Sequence, residues 1–293
     1  MSSPRPNSLR AWLLAARPKT LSGAAVPVVV ATAVAVRDGV VALLPAVLCL
    51  LFAWLMQIAA NLINDLIDYT KGSDRGDRLG PARACASGWI SPGEMKRGIV
   101  VTLLLAVAVG LGLLRFGNTW VLLGIGGACI VFAFLYTTLF SYMGLGDVLV
   151  VVFFGLVPVC GTYYVETGSL TGDAWAAAAA CGLVIDTLLV VNNYRDYETD
   201  LRYGKHTLIT HIGLRRGRGL YLALGVASFA LAAVVVGLSL WLVLPMLYLP
   251  LHYRAWQMMG RLKGRELNRV LGINSRNMLC FAVLLGIAIV LSK

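Results

Sequence analysis

Charge is scarce in this 293-residue sequence. Only 13% of the residues are charged, just 14 of them acidic, while 59% are hydrophobic. Soluble chains carry about a quarter charged residues. Most of this length must therefore avoid water, which excludes an ordinary soluble enzyme and leaves a membrane protein. Cysteine is thin as well. The six (Cys49, Cys85, Cys129, Cys160, Cys181, Cys280) include no CxxC pair, and all but Cys85 lie in apolar runs, where the residue behaves as a small hydrophobe. That pattern argues against a disulfide framework or a zinc site. A cleavable leader is not expected, because the run 11–16 is short for an apolar signal core and is followed by Arg17-Pro18-Lys19. Leu9, Trp12, Leu13 and Ala16 fall at helical spacing and predict a short interfacial helix.

What the sequence has in abundance is long apolar runs. About nine are long enough to cross a bilayer, at roughly 20 residues each, near 20–36, 40–64, 98–114, 118–140, 145–165, 173–194, 218–237, 240–259 and 275–292. Pro27, Pro158 and Pro245 fall inside three of them, as membrane helices tolerate. The expected fold class is an all-α integral membrane protein, a single transmembrane domain over 1–293 with about nine helices around a central cavity. Its polar parts are an N-terminal segment, 1–19, and two loops, 65–97 and 195–217. The net charge of +11 is not a nucleic-acid signal, because the basic residues sit in short loops beside the spans, where they orient the chain and meet anionic lipid. With nine spans, all of the 25 Lys and Arg except Arg37, Arg115 and Lys293 fall on one side. The positive-inside rule makes that side cytoplasmic, in a multi-pass protein of the cell membrane.

Two segments on that side carry the polar chemistry. The first reads Asn61-Leu-Ile-Asn64-Asp65-Leu-Ile-Asp68-Tyr-Thr-Lys71-Gly72-Ser-Asp74, with Arg78 and Arg83 following. The second reads Asn192-Asn193-Tyr194-Arg195-Asp196-Tyr-Glu198-Thr-Asp200, with Lys205 beyond it. In each, residues three and four apart gather amides and carboxylates on one helix face, and an Asn precedes an Asp by four (64/68 and 192/196). Both close an even-numbered span, as a degenerate duplication of a four-helix unit would. Like charges at that spacing repel by some tenths of a kcal/mol and are costly near a membrane. A hard divalent cation removes the conflict, since Mg²⁺ takes one or two carboxylates and completes its shell with water and phosphate oxygens. Basic residues interleaved with the acids suit a polyanion. The combination reads as a magnesium–diphosphate site whose ligand has an apolar tail in the bilayer. Solvated loop charges pairing with one another are the competing reading. Glu94, Glu266, Arg261, Lys263 and Arg265 read as ordinary loop charges, and Asp186, inside the sixth span, is either functional or a hydrogen-bonded structural acid.

These residues resemble the UbiA superfamily of intramembrane aromatic prenyltransferases over nearly the whole chain. Arg17-Pro18-Lys19-Thr20-Leu21, Lys71-Gly72-Ser73-Asp74, Gly144-Leu145-Gly146-Asp147, Val191-Asn192-Asn193-Tyr194-Arg195-Asp196 and Gly204-Lys205-His206-Thr207-Leu208 are similar to its 1,4-dihydroxy-2-naphthoate branch. The superfamily pattern puts a third Asp at position 72, which is Gly here, and Asp74 is the substitute. The resemblance implies transfer of a polyprenyl group from its diphosphate to dihydroxynaphthoate with loss of CO₂, giving a demethylmenaquinol. It implies Asp65, Asp68, Asp74, Asp196 and Asp200 as metal ligands, directly or through water. Asn61, Asn64, Lys71, Arg78, Arg83, Asn192, Asn193, Arg195 and Lys205 would meet the diphosphate. Tyr136 is the candidate aromatic face for an allylic cation, Asp147 a candidate base or acceptor-orienting group, and Lys19 the partner of the acceptor's carboxylate. Other acceptors (4-hydroxybenzoate, homogentisate, a chlorophyll precursor, a lipid glycerol) remain open, as does transport of an anion between two halves.

Overall fold

The chain winds into helices whose ends follow from local chemistry. The computed structural model describes residues 4–72, 79–138 and 144–293, the side chains of Lys19, Thr137 and Thr138 excepted. Helix α1 (Leu9–Ala16) starts where the Ser8 hydroxyl accepts the Ala11 N–H and stops at Arg17, whose backbone is left-handed. Pro18 then opens α2 (Pro18–Arg37), at the one helical position where a missing N–H costs nothing. Helix α3 (Leu43–Thr70) runs 28 residues. Helix α4 (Pro92–Leu113) begins at a Ser91 cap with Pro92 and Glu94 in its first turn, which favours a helix N-terminus and carries it back beyond the expected start at 98. Helix α5 (Thr119–Thr138) follows. The next span is continuous from Gly146 to Thr167 but changes pitch, as α6 (Gly146–Val150), a π-helical stretch (Val151–Leu156) and α7 (Val157–Thr167).

Helix α8 (Gly172–Arg195) starts at a Thr171 cap, and the short α9 (Tyr197–Arg202) turns away from its end. Thr207 and Thr210 form a reciprocal capping box for α10 (Leu208–Val236), which is interrupted at Gly213, a residue with φ of 77°. Among the described residues, eight segments are long and apolar enough to cross a membrane. The expected eighth span, 240–259, is instead broken into a 3₁₀ turn (Leu240–Leu242), α11 (Val243–Met246) and α12 (Tyr248–Arg261). Pro245 and Pro250 each remove an N–H from the ladder there. Helix α13 (Leu267–Leu291) closes the bundle.

Helix α8 is the most enclosed span and α5 the least. The Ala-rich first half of α8 lets α10 and the π-helical stretch approach closely. A Cβ placed on Gly155 would lie 2.5 Å from the Gly182 Cα and 2.7 Å from the Ala178 carbonyl oxygen, so only glycine fits at this crossing, the usual device of membrane helix contacts. Opposite the polar helix ends, Arg37 bonds Asp173 at 2.6 Å and the Tyr163 hydroxyl donates to Asp38 at 2.6 Å. The outward faces of α4 and α5 expose Val100, Leu104, Leu111, Trp120 and Val131, a surface suited to lipid.

Candidate functional site

The ends of α3 and α8 meet at one mouth of a cavity of about 1670 Å³ that runs through the depth of the bundle. Asn61, Asn64, Asp68, Lys71 and Arg83 line one side of the mouth, and Asn192, Asn193, Arg195, Asp196, Asp200 and Lys205 the other. Below them the wall turns apolar, through Met56, Phe52, Ile125 and Leu122 to Leu113 at the far ends of α4 and α5.

On the α3 side, the Arg83 Nη2 donates to Asp68 Oδ2 at 2.5 Å and to Asn64 Oδ1 at 3.4 Å. Asp65 departs from expectation. It is 1% exposed and absent from the cavity wall. Its two oxygens accept the backbone N–H groups of Ala84 and Cys85 at 2.8 and 2.9 Å. Neighbouring residues on a helix point about 100° apart, so when Asn64 and Asp68 face the cavity Asp65 faces the loop that carries Arg83. Its carboxylate anchors that loop. Asn61 also serves as a pin. Its amide nitrogen donates to the Ala16 carbonyl and the Thr20 hydroxyl, both at 2.9 Å, tying α3 to the α1–α2 junction.

On the α8 side, Arg195 is 5% exposed. It grips Asp196 with two bonds of 2.8 and 2.5 Å, Asn192 at 2.8 Å and Asn268 at 2.8 Å. Asn268 in turn donates to the Leu79 carbonyl at 2.9 Å, so α13 links the second polar segment to the loop of the first. Asp200 is 8% exposed, lies 3.8 Å from the Lys205 Nζ, and its Oδ2 has no hydrogen-bond partner among the described residues. Burial pushes the Asp200 carboxyl up to about 6, against the downward pull of Lys205. Such an acid is short of positive charge.

Deeper in, Tyr136 and Asp147 both line the cavity. Tyr136 sits 5.6 Å from Phe132, which stacks on Phe153 at 3.6 Å, and both phenylalanines share the wall. Asp74 and Arg78 lie outside the described residues, as does the Lys19 side chain. Arg17, next to Pro18, reaches the mouth from a left-handed backbone with φ of 53°, a conformation rare outside glycine and costly enough to suggest purpose.

Among the described residues no three His, Cys, Asp or Glu side chains converge as a ready-made metal cage. The donors present suit Mg²⁺ better than a softer ion. Each side offers amide oxygens with one or two carboxylates, the Asp200 Oδ2 lacks a partner among the described residues, and the remaining positions fall to water and phosphate oxygens. Several contributors were missed in the sequence. Arg265, read there as an ordinary loop charge, lines the mouth. Asn268, Phe132 and Phe153 carry no motif, and nothing in the spacing of Asp65 told its anchoring face from a liganding one.

A model of the UbiA prenyltransferase family matches residues 24–278. The chain is 38% identical over 233 residues to the 1,4-dihydroxy-2-naphthoate octaprenyltransferase of Escherichia coli (strain K12), covering 77% of this chain and 76% of that protein. It is 33% identical over 290 residues to the protein of the same name in Mycobacterium leprae, covering 97% and 98%. The fold matches the apo structure of a UbiA homolog from Aeropyrum pernix K1 with a TM-score of 0.70 at 19% identity, over 92% of this chain and 97% of that one. It also matches a UbiA homolog from Archaeoglobus fulgidus bound to DMAPP and Mg²⁺, with a TM-score of 0.63 at 17% identity, over 95% and 98%.

Proposed function

The chain belongs to the UbiA prenyltransferase family, and from that premise we propose that it transfers a polyprenyl group from its diphosphate to 1,4-dihydroxy-2-naphthoate with loss of CO₂, the prenylation step of menaquinone biosynthesis. The observation that carries the reading is the meeting of the two Asn/Asp segments at one mouth above an apolar channel, in a chain a third or more identical to naphthoate octaprenyltransferases. The whole chain works as one transmembrane domain. The clustering of its Lys and Arg in the loops beside the mouth supports a cytoplasmic orientation.

Asn64 and Asp68 on one side and Asn192, Asp196 and Asp200 on the other would hold Mg²⁺, with Asp74 as a further ligand, and the metal would supply Lewis-acid charge to the diphosphate oxygens. Arg83, Arg195, Lys71, Lys205 and Arg78 bind the same group and stabilise the charge that builds on it as the C–O bond breaks. Asn61 and Asn193 shape the mouth. Asp65 fixes the loop that presents Arg83, acting on the diphosphate through that arginine. The allylic carbon then lies against Tyr136, Phe132 and Phe153, whose faces stabilise positive charge while the apolar walls exclude water. The electron-rich ring attacks that carbon. Asp147 orients a ring hydroxyl, and Lys19 meets the carboxylate that leaves as CO₂.

Purified protein incubated with Mg²⁺, dihydroxynaphthoate and geranyl diphosphate tests this. The expected product is the decarboxylated geranyl naphthoquinol, identified by mass. Prenylation of 4-hydroxybenzoate with no naphthoate product would overturn the choice of acceptor.

A further inference from the structure

Asp186 has no place in the mechanism above, although it lies in the middle of α8 at 3% exposure. Asp147, which opens α6 at 6% exposure and lines the cavity, lies on a helix packed against α8. Helix α6 packs on α8, drawn in by the Gly155–Gly182 crossing a few residues on. A Cβ placed on Gly146, next to Asp147, would lie 3.4 Å from Leu189 Cδ2, one turn along α8 from Asp186, and 3.9 Å from the Tyr136 hydroxyl oxygen. Among the described residues neither acid forms an ion pair with a Lys or Arg. Three of their four oxygens, Asp147 Oδ1 and Oδ2 and Asp186 Oδ1, are buried with no hydrogen-bond partner among the described residues. The neighbouring Thr187 hydroxyl does not help, since it donates to the Val184 carbonyl. Two carboxylates left bare in this way are untenable together, because each is desolvated and each repels the other. A single proton held between them resolves both problems, as in other paired carboxyls.

We propose that Asp186 is a positioning residue: it keeps a proton, donates it in a hydrogen bond to Asp147, and so leaves Asp147 as the charged member facing the acceptor. The proposal rests on the functional reading above. In it, Asp147 accepts the proton of a ring hydroxyl as the C–C bond forms. The O–H electron pair becomes a ring carbonyl, the ring's π pair bonds the allylic carbon, and the C–O pair leaves with the diphosphate. When the carboxylate departs as CO₂, its C–C pair restores the aromatic ring and the carbonyl oxygen takes the proton back from Asp147. No proton is gained or lost by the pair over the cycle. Asp186 makes this possible by letting a buried carboxylate exist at the wall without a cation that would spoil it as a base.

The test is a double-mutant cycle in kcat, with geranyl diphosphate, dihydroxynaphthoate and Mg²⁺. D186L should lower kcat roughly tenfold or more, the loss set by one hydrogen bond to a charged group, while KM for the prenyl diphosphate stays within about twofold. D186N, whose amide still donates, should recover most of the rate. In a D147N background D186L should add less than about a twofold loss, since a residue that acts through Asp147 has nothing left to act on. If Leu lowers the yield of folded protein, D186A takes its place in the same cycle. A wild-type kcat in D186L, a D186N as slow as D186L, or an equal loss in both backgrounds would each overturn the proposal. Failure of the functional reading looks different, because the wild type itself then yields no prenylated naphthoate.

Discussion

Replacing Asp65 by Asn separates a metal ligand from a loop anchor at almost no change in volume. In the structure each carboxylate oxygen of Asp65 accepts one backbone N–H, from Ala84 and from Cys85, and the group is fully enclosed. Hydrogen bonds to a charged acceptor contribute about 1.5–3 kcal/mol each, and a buried donor left unpaired costs about 1–3 kcal/mol. Asparagine keeps one acceptor and turns an NH₂ toward the other backbone N–H. The closed loop should therefore lose roughly 2–4 kcal/mol relative to an open one. At about 1.4 kcal/mol per factor of ten, that shifts the loop equilibrium by roughly 30- to 1000-fold. The loop holds Arg83 against Asp68, so the loss should appear where Arg83 acts. KM for the prenyl diphosphate should rise about tenfold or more, the segment around 79–90 should become sensitive to trypsin at Arg83, and the Mg²⁺ concentration for half-maximal rate should change little. A variant with an unchanged KM and a protected loop, but a strongly raised Mg²⁺ requirement, would refute the anchoring account and return Asp65 to the metal.

Other substitutions probe the two sides of the mouth and the crossing beneath it. Asp68→Ala and Asp196→Ala should each cut turnover by a hundredfold or more, roughly the cost of losing a residue that holds the charged leaving group, with the folded yield retained on gel filtration in detergent. Near-normal rates at saturating Mg²⁺ would remove that residue from the site. Chelation by EDTA should abolish turnover reversibly, with recovery on adding Mg²⁺ and no change in the helical circular dichroism signal, because the bundle is held by its packing. Gly155→Ala should lower both thermal stability and rate, since a methyl group 2.5 Å from the Gly182 Cα must part α8 from the span that carries Asp147. Overpacking of this kind costs about 1–3 kcal/mol.

The helical class, most of the spans and both polar segments were legible in the sequence, because apolar length and the spacing of Asn64/Asp68 and Asn192/Asp196 are local properties. The broken crossing at 240–261 was not. It is less apolar than the other spans, with His252, Arg254 and Gln257 in its second half, but only the placement of Pro245 and Pro250 against their neighbours decides how it breaks. The hydrogen bonds of Asp65 to the backbone of Ala84 and Cys85 were hidden for a related reason. A carboxylate one residue from a cavity-facing Asn reads as part of the same cluster until the loop that occupies its other face is known. Arg195 and Asn268 show the limit from the opposite direction. Arg195 was legible as a charge within the second Asn/Asp segment, but its direct bonds to Asp196, Asn192 and the distant Asn268 join α8 to α13. The aromatic wall of Phe132 and Phe153 was hidden because phenylalanine in an apolar span carries no periodic or charge signal to set it apart from lipid-facing residues.

The central claim is that one mouth couples loss of diphosphate to prenylation and decarboxylation of a naphthoate. The most direct measurement follows two products at once: labelled CO₂ from carboxyl-labelled 1,4-dihydroxy-2-naphthoate, and diphosphate from geranyl diphosphate, in a single Mg²⁺-dependent time course. The account requires the two to appear in equal amounts and to stop together when either substrate is withheld. Diphosphate released without CO₂ in the presence of the naphthoate would contradict it.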